Sequence, residues 1–197
     1  RAAFGYSASL LLLLLIKLKI VGEVYIEHLK NSIRSLEKES KIYSIIDKSN
    51  PAIDFASKIY NKYPIIYGTP LTNVASLRLR CQLAENAKIL STHYILPEQN
   101  HNEIEGYLNY DNKDSILIWM NDIDDHQRII KRIHITSKLL NNIKYQYFFE
   151  ESGENITERL FKLIYFFDWV SYYSAIYQRT NPTPVDKIKK LKILMSK

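Results

Sequence analysis

The sequence predicts an α/β fold with a mainly parallel sheet, preceded by N-terminal helices. From residue 64 onward, short apolar runs typical of buried strands alternate with longer segments of helical period, which indicates a parallel sheet with helices on both faces. Glycine and proline are scarce, at 5 and 6 of 197 residues, which disfavours a turn-rich all-β fold. Hydrophobic residues make up 46% of the chain, enough for the core of one domain with additional helices.

The first 62 residues are predicted to be helical and to form a linker or interdomain segment, ahead of a domain over residues 63–197. Gly22 separates the first two helices of this segment. Asn50 and Pro51 start the third helix, because asparagine caps a helix and proline suits its first turn. The predicted helices cover residues 1–20, 23–44 and 52–61.

An apolar run over residues 10–16 lies in the first of these helices. It is too short for a membrane span, which needs about 20 apolar residues. We therefore interpret the run as part of a helix buried between two domains, and we expect no association with a membrane.

In the rest of the chain, strands are assigned from apolar runs and helices from their period and their starting residues. Thr69 and Pro70 open one helix, and Asp124 with Asp125 caps another. In a parallel sheet the active site lies at the carboxyl ends of the strands, which places the loop with His101 at the site. The predicted strands cover residues 64–68, 94–96, 115–120 and 144–149, and the predicted helices cover residues 71–88, 103–107, 124–142, 157–178 and 185–195.

The chain carries a net charge of +6, from 27 basic and 21 acidic residues, and the excess is concentrated in the C-terminal lysines. This balance suits an anionic partner such as a phosphorylated metabolite, and also nucleic acid. The sequence has no basic stripe with exposed aromatic residues, which counts against nucleic-acid binding. The single cysteine, Cys81, excludes an intramolecular disulfide bond and fits a reducing cytoplasm.

Glu85 and His101 are the candidate residues for proton transfer. A carboxylate can move a proton between adjacent carbons in an aldose–ketose isomerisation, and a histidine titrates near neutrality. Each residue also has an ordinary interpretation, Glu85 as a surface glutamate of a helix and His101 as a residue that fixes a turn. His101 and Glu103 have no third ligand at a useful spacing, so we expect no zinc site. The sequence lacks the glycine-rich nucleotide-binding motifs and the serine elbow of hydrolases.

Several stretches along nearly the whole chain, taken in order, resemble a known family. The most specific are Asn-His-Asn-Glu-Ile at residues 100–104 and Asp-Trp-Val-Ser-Tyr-Tyr at residues 168–173. The others cover residues 1–6, 67–68, 82–88, 97–98, 158–161 and 181–185. Together they resemble the C-terminal half of the bifunctional phosphoglucose/phosphomannose isomerases, which are built from sugar isomerase (SIS) domains. The resemblance implies a SIS-type three-layer αβα sandwich that converts glucose 6-phosphate and mannose 6-phosphate to fructose 6-phosphate by a metal-free enediol route.

The resemblance also implies roles for individual residues. Glu85 matches the base that moves the proton between C2 and C1, and His101 matches the histidine of ring opening. Lys192 matches the family's lysine in the last helix, in the pattern Ile-x-x-Leu-Lys. Thr183 resembles a threonine whose small side chain leaves room for either C2 epimer, and Arg1 resembles an arginine that steadies the enediolate oxygen.

The resemblance implies no metal and no cofactor, a sugar phosphate as substrate, and a homodimer in which the histidine serves the neighbouring subunit's site. The family's first SIS domain, whose Ser/Thr-rich loops hold the phosphate, has no counterpart in this sequence. An upstream SIS domain is therefore an expected partner. One alternative stays open for the chain in isolation, a non-catalytic SIS module that binds a sugar phosphate and regulates a partner.

Overall fold

The computed structural model describes residues 3–110 and 113–196, which form eight α-helices and four β-strands. Every strand and helix predicted from the sequence has a counterpart, and most of their ends are shifted by a few residues, but the predicted helix over residues 71–88 is interrupted. The strands are β1 (Tyr63–Gly68), β2 (Thr92–Ile95), β3 (Ser115–Met120) and β4 (Tyr145–Phe149). The helices are α1 (Phe4–Lys17), α2 (Val24–Tyr43), α3 (Pro51–Ile59), α4 (Asn73–Gln82), α5 (Glu103–Gly106), α6 (Gln127–Leu139), α7 (Ile156–Tyr177) and α8 (Asp186–Met195).

The four strands form one parallel sheet in the order β2-β1-β3-β4. Tyr67 of β1 pairs with Tyr94 of β2 on one side and with Trp119 of β3 on the other. The chain runs outward from β1 to β2 and then crosses to β3 on the opposite side. The carboxyl ends of β1 and β3 therefore meet where the direction of winding changes, which is where open α/β sheets bind ligands.

Alternate strand residues contribute to two separate cores, one on each face of the sheet, because successive side chains of a strand point to opposite faces. Ile66 and Ile118 pack in a core with residues of α3, α4 and α7. Leu117 and Trp119 pack in a second core with residues of α6. The protein thus has the predicted three-layer α/β/α arrangement with a parallel sheet in the middle.

Polar side chains cap the starts of α3 and α6, and of these two starts only that of α3 agrees with its prediction. Asn50 caps α3 as predicted, because its Oδ1 accepts hydrogen bonds from the N–H groups of the first turn. The prediction that Asp124 and Asp125 cap α6 is wrong. His126 is the capping residue, and its Nδ1 accepts from the Arg128 N–H. The two aspartates are engaged elsewhere, Asp124 with an arginine of α7 and Asp125 with the turn after β3.

The prediction of one continuous helix over residues 71–88 is also wrong. Helix α4 ends at Gln82 and continues as a π-helical turn, Leu83–Ala87. The turn stops at Lys88, whose backbone is left-handed with a φ of 59°. The candidate base Glu85 therefore lies on the π turn and not on a regular α-helix.

Helix α1 contains the apolar run of the N-terminal segment and has no fully buried residue. Leu10, for example, is 67% exposed. Burial of this helix between two domains stays a prediction. Among the residues that the structure describes, no helix combines the length and the apolar character needed to cross a membrane.

Candidate active site

Glu85 is held by the π turn on the α7 side of the sheet. Leu83 and Ala87 of the turn are buried in the core shared with α7, and Asn86 Nδ2 donates a hydrogen bond to Ser171 Oγ at 2.9 Å. The Glu85 side chain is half-buried. Single π turns inside helices frequently occur at functional sites, so this distortion marks the turn as a candidate site.

Lys88 connects this turn to the segment that carries Thr183. Its Nζ donates to the backbone oxygen of Glu85 at 2.5 Å and to that of Pro184 at 2.8 Å. Glu85 and Thr183 lie almost a hundred positions apart in sequence. The Lys88 side chain directly joins the two segments that carry them.

A cavity of about 910 Å³ opens next to these segments. Asn86 and Thr183 line it, together with Asp168 and several aromatic side chains of α7. The Asp168 carboxylate accepts from Arg78 Nε at 2.9 Å, from Arg78 Nη2 at 2.7 Å and from Gln82 Nε2 at 2.9 Å. The cavity is therefore apolar over most of its wall, with a fixed polar group beside the π turn.

His101 lies in the loop after β2, and the residues around it fix that loop. Asn100 Nδ2 donates to Thr136 Oγ1 of α6 at 2.8 Å. Asn102 Oδ1 accepts from the Glu103 N–H at 2.6 Å and so caps α5. His101 itself is exposed, and its side chain forms no hydrogen bond or ion pair with residues 3–110 or 113–196.

Glu103 anchors the same loop to the sheet through two tyrosines. Tyr67 OH donates to Glu103 Oε1 at 2.5 Å, and the two hydroxyl groups of Tyr67 and Tyr107 are 2.5 Å apart. Both tyrosines are buried, and Glu103 is half-buried. Burial raises the pKa of the Glu103 carboxyl above its usual range, although the two tyrosine hydroxyl groups oppose this rise by bonding to the carboxylate. Burial likewise raises the pKa values of Tyr67 and Tyr107.

Glu85 and His101 belong to different layers of the domain. The π turn packs in the core on the α7 face, whereas the anchor residues Tyr67 and Tyr107 of the histidine loop pack in the core on the α6 face. The structure brings Glu85 close to the Thr183 segment but leaves His101 without a bonded partner among the described residues.

Comparison with known proteins identifies the family to which this chain belongs. The family described as "Bacterial phospho-glucose isomerase C-terminal SIS domain" matches residues 48–195. The chain belongs to this family. The matched range contains the SIS-type sheet, the π turn, the histidine loop and α8 up to its last residue.

Two curated relatives match most of this chain and are longer than it. The chain is 34% identical to the bifunctional phosphoglucose/phosphomannose isomerase of Caldicellulosiruptor bescii, with 98% of this chain and 58% of the relative covered. It is 31% identical to the enzyme of the same name from Aquifex aeolicus, with 84% of this chain and 49% of the relative covered. The chain thus spans about half the length of the curated relatives it matches.

Two solved structures share the fold of this SIS domain. A glucose-6-phosphate isomerase like protein from Thermus thermophilus matches with a TM-score of 0.65 at 19% identity, over 84% of this chain and 55% of the other. The C-terminal domain of glucosamine-fructose-6-phosphate aminotransferase from Francisella tularensis matches with a TM-score of 0.62 at 14% identity, over 80% and 46%. At these identities the likeness establishes the fold alone.

Among the predicted site residues that the structure describes, Lys192 is bonded neither to Glu85 nor to Thr183. Lys192 is exposed on α8, and its side chain makes no hydrogen bond or ion pair within the described parts of the chain. Arg1 lies outside the described residues. The roles of both stay predictions.

The polar groups at the ends of β1 and β3 bond to one another. Thr72 Oγ1 donates to the Met120 carbonyl at 2.8 Å, and Thr69 Oγ1 lies 3.1 Å from Thr72 Oγ1. The Asp125 carboxylate accepts from the Asp122 N–H at 2.8 Å and lies close to the Thr69 side chain. A helix start in this position often binds a phosphate, but here a buried carboxylate already lies beside it.

Sequence reasoning missed the residues that hold the site in place. Lys88 lies in a stretch that carries the family resemblance, but its bridging role gave no signal, because its two partners are backbone oxygens that any sequence would supply. Tyr67 and Glu103 both lie in stretches that carry the family resemblance, but their pairing required the loop geometry.

In residues 3–110 and 113–196, no three His, Cys, Asp or Glu side chains are grouped so that they could hold a metal ion.

Proposed function

We propose that this SIS domain is the C-terminal half of an aldose–ketose isomerase that interconverts glucose 6-phosphate and mannose 6-phosphate with fructose 6-phosphate. Membership of the family and the names of the relatives support this activity. The half-buried Glu85 on its π turn is the proposed general base, and the exposed His101 is the proposed group for ring opening.

The proposed chemistry is a proton transfer through a cis-enediol. His101 moves a proton between the ring oxygen and the C1 hydroxyl as the sugar ring opens. Glu85 then takes the proton from C2 of the open-chain aldose, the C–H electron pair forms the C1–C2 double bond, and the former carbonyl oxygen gains a proton. Glu85 returns its proton to C1, the C2 hydroxyl loses its proton, and the ketose forms. This route uses side chains and requires no metal ion.

One observation carries the proposal. In residues 100–103, the asparagines and the glutamate around the histidine are bonded within the domain, whereas His101 is exposed and unbonded. A histidine that only fixed a turn would itself make such bonds. A loop fixed by its other polar residues, with the histidine turned to solvent, is the arrangement expected of a group that acts on a substrate.

The remaining residues of the proposed site come from the two ends of the chain, and its phosphate-binding part comes from a partner domain. Thr183 lines the cavity beside the π turn and would leave room for either C2 epimer. Lys192 and Arg1 are proposed to approach the sugar when the site is complete. Because the Asp125 carboxylate lies beside Thr69 at the ends of β1 and β3, where it would repel an anion, the phosphate is proposed to bind to an upstream SIS domain.

The proposed assembly is a homodimer in the cytoplasm. The location of Glu85 and His101 on different layers supports a site in which the histidine acts on a substrate held by the neighbouring subunit. We also propose that residues 1–62 are a helical linker and residues 63–197 the SIS domain proper.

A coupled assay for fructose 6-phosphate tests the activity. The chain and the protein encoded by its complete reading frame would each receive glucose 6-phosphate or mannose 6-phosphate in the presence of EDTA. We expect the complete protein to turn over both sugars, and Glu85→Gln to lower turnover by at least about 100-fold, because general base catalysis contributes that much or more.

Glu105→Gln is the matched control, since Glu105 is an exposed glutamate of α5 outside the proposed site. Its turnover should equal that of the wild type. Tight binding of sugar phosphate by the complete protein without any turnover would contradict the isomerase and would support the regulatory module. Full activity of Glu85→Gln would remove Glu85 from its proposed role.

A further inference from the structure

Lys88 makes contacts that its position in the chain does not require. It lies just after the π turn in the left-handed region, with a φ of 59°, where glycine is the favoured residue and other side chains cost about 1 kcal/mol. The structure contains another lysine at a helix end in this conformation, Lys19 after α1, with a φ of 58°. The side chain of Lys19 makes no hydrogen bond or ion pair within the described residues, whereas that of Lys88 makes two short hydrogen bonds.

These two bonds connect the segments of the proposed site. One ammonium group donates to the Glu85 carbonyl at 2.5 Å and to the Pro184 carbonyl at 2.8 Å. Glu85 is the proposed base, and Pro184 follows Thr183, the residue proposed to face C2 of the sugar. The Lys88 side chain therefore holds the turn that carries the base against the segment that carries Thr183.

We propose that Lys88 is a positioning residue of the site, which fixes the π turn against residues 181–185 and so sets the discrimination between the two C2 epimers. This inference rests on the proposed isomerase function. Glucose 6-phosphate and mannose 6-phosphate differ in configuration at C2, so each must turn differently to bring its C2 proton to Glu85. A shift between the base and the Thr183 segment should therefore affect them unequally. A misplacement of about 1 Å at a site of chemistry can lower a rate about 100-fold.

The test uses Lys88→Gly in the complete protein. Glycine suits the left-handed backbone, so the relief of backbone strain should offset part of the loss of the two hydrogen bonds. Thermal unfolding of the variant checks that it is folded in the assay, so that a loss of function reports on the missing ammonium group. Lys19→Gly is the matched control, because it makes the same change at the same backbone conformation near the far end of α1.

Two readouts are measured. The first is hydrogen exchange of the Thr183 amide, which donates to Asn181 Oδ1 at 2.9 Å. We expect this amide to exchange several-fold faster in Lys88→Gly and at an unchanged rate in Lys19→Gly. The second is kcat/KM for each sugar. We expect a fall of about tenfold in kcat, with a changed ratio of kcat/KM between the two epimers, and partial recovery in Lys88→Arg, which keeps the cation.

The outcomes separate this proposal from the proposed function. An active Lys88→Gly variant with the same kcat and the same epimer ratio as the wild type would overturn the positioning role, whether or not exchange is faster, and would leave the isomerase intact. Unchanged exchange at Thr183 would show that the two segments are not coupled through Lys88. Absence of turnover by the wild type would overturn the isomerase and, with it, the role of Lys88.

Discussion

The hydroxyl group of Tyr67 donates to the carboxylate of Glu103 at 2.5 Å and thereby joins the end of β1 to the loop that carries His101. Tyr67 is fully buried next to Trp119, so it provides a rigid support for this loop. Glu103 makes the bond at the cost of burying a carboxyl group, and this burial raises its pKa.

The raised pKa of Glu103 predicts a pH-dependent contribution to stability. The folded protein retains the carboxyl proton in a pH range where the unfolded chain, with a pKa of about 4.3, has lost it. The contribution is therefore complete below the unfolded-state pKa and is lost as the pH rises through the folded-state pKa. Glu103→Gln keeps an oxygen that accepts from Tyr67 but cannot titrate. We expect the stability of this variant relative to the wild type to increase as the pH rises from the unfolded-state pKa through the raised folded-state pKa.

Urea denaturation at several pH values measures this difference. Glu105→Gln removes one charge from the same short helix at an exposed position and serves as the control. If the free energies of unfolding of the wild type and Glu103→Gln remain parallel across the pH range, the carboxyl group does not titrate in a perturbed environment.

Substitution of His101 is predicted to lower turnover, whereas substitution of Asn100 is predicted to lower stability. His101→Gln should leave the free energy of unfolding within about 0.5 kcal/mol of the wild type, because the side chain is exposed and unbonded in the described structure, but should lower turnover about 100-fold. Asn100→Ala should cost about 1 kcal/mol, because it removes the bond to Thr136. Thermal unfolding and the coupled assay measure the two effects, and a destabilised His101→Gln protein would contradict the proposed division of roles.

The outline of the fold could be predicted from the sequence because strands and helices alternate with clear periods. The apolar run of β3 and the Asn50–Pro51 start of α3 were recognised correctly. Contacts between residues far apart in the sequence could not be predicted in this way. Asp124 and Asp125 looked like helix caps, but an arginine 35 residues further along the chain engages Asp124, and the turn after β3 engages Asp125.

The candidate site was predictable only in part, and for a physical reason. Side-chain chemistry and family resemblance indicate Glu85, His101 and Thr183. The sequence does not indicate the π turn, because the turn depends on contacts with α7, including the bond to Ser171. The Lys88 bridge is invisible for a similar reason, since a lysine bonded to two carbonyls looks like any surface lysine.

Arg159 is predicted to be essential for stability. Its Nε and Nη2 each donate to an oxygen of Asp122 at 2.8 Å, and the two side chains are 4% and 3% exposed. Arg159→Met would leave the buried carboxylate without its cation and should cost about 3–5 kcal/mol. The double variant Arg159→Met/Asp122→Asn removes both charges and should recover part of this loss. Denaturant unfolding checks both values, and a loss below about 1 kcal/mol in the single variant would mean that Asp122 finds another partner.

Gly68 is predicted to set the distance between β1 and α4, and so the location of the π turn. A Cβ atom at this position would lie 2.5 Å from Ser76 Oγ and 3.3 Å from the Asn73 Cα, both on α4. Gly68→Ala should therefore push α4 away from the strand, cost about 1–3 kcal/mol and lower turnover by displacing Glu85. Adding Ser76→Ala removes the closest contact and should restore part of both losses. Gly106→Ala is the control, because a Cβ there meets nothing within 4 Å and should leave stability and turnover unchanged. Equal stability and turnover of Gly68→Ala and Gly106→Ala would show that α4 can move without disturbing the site.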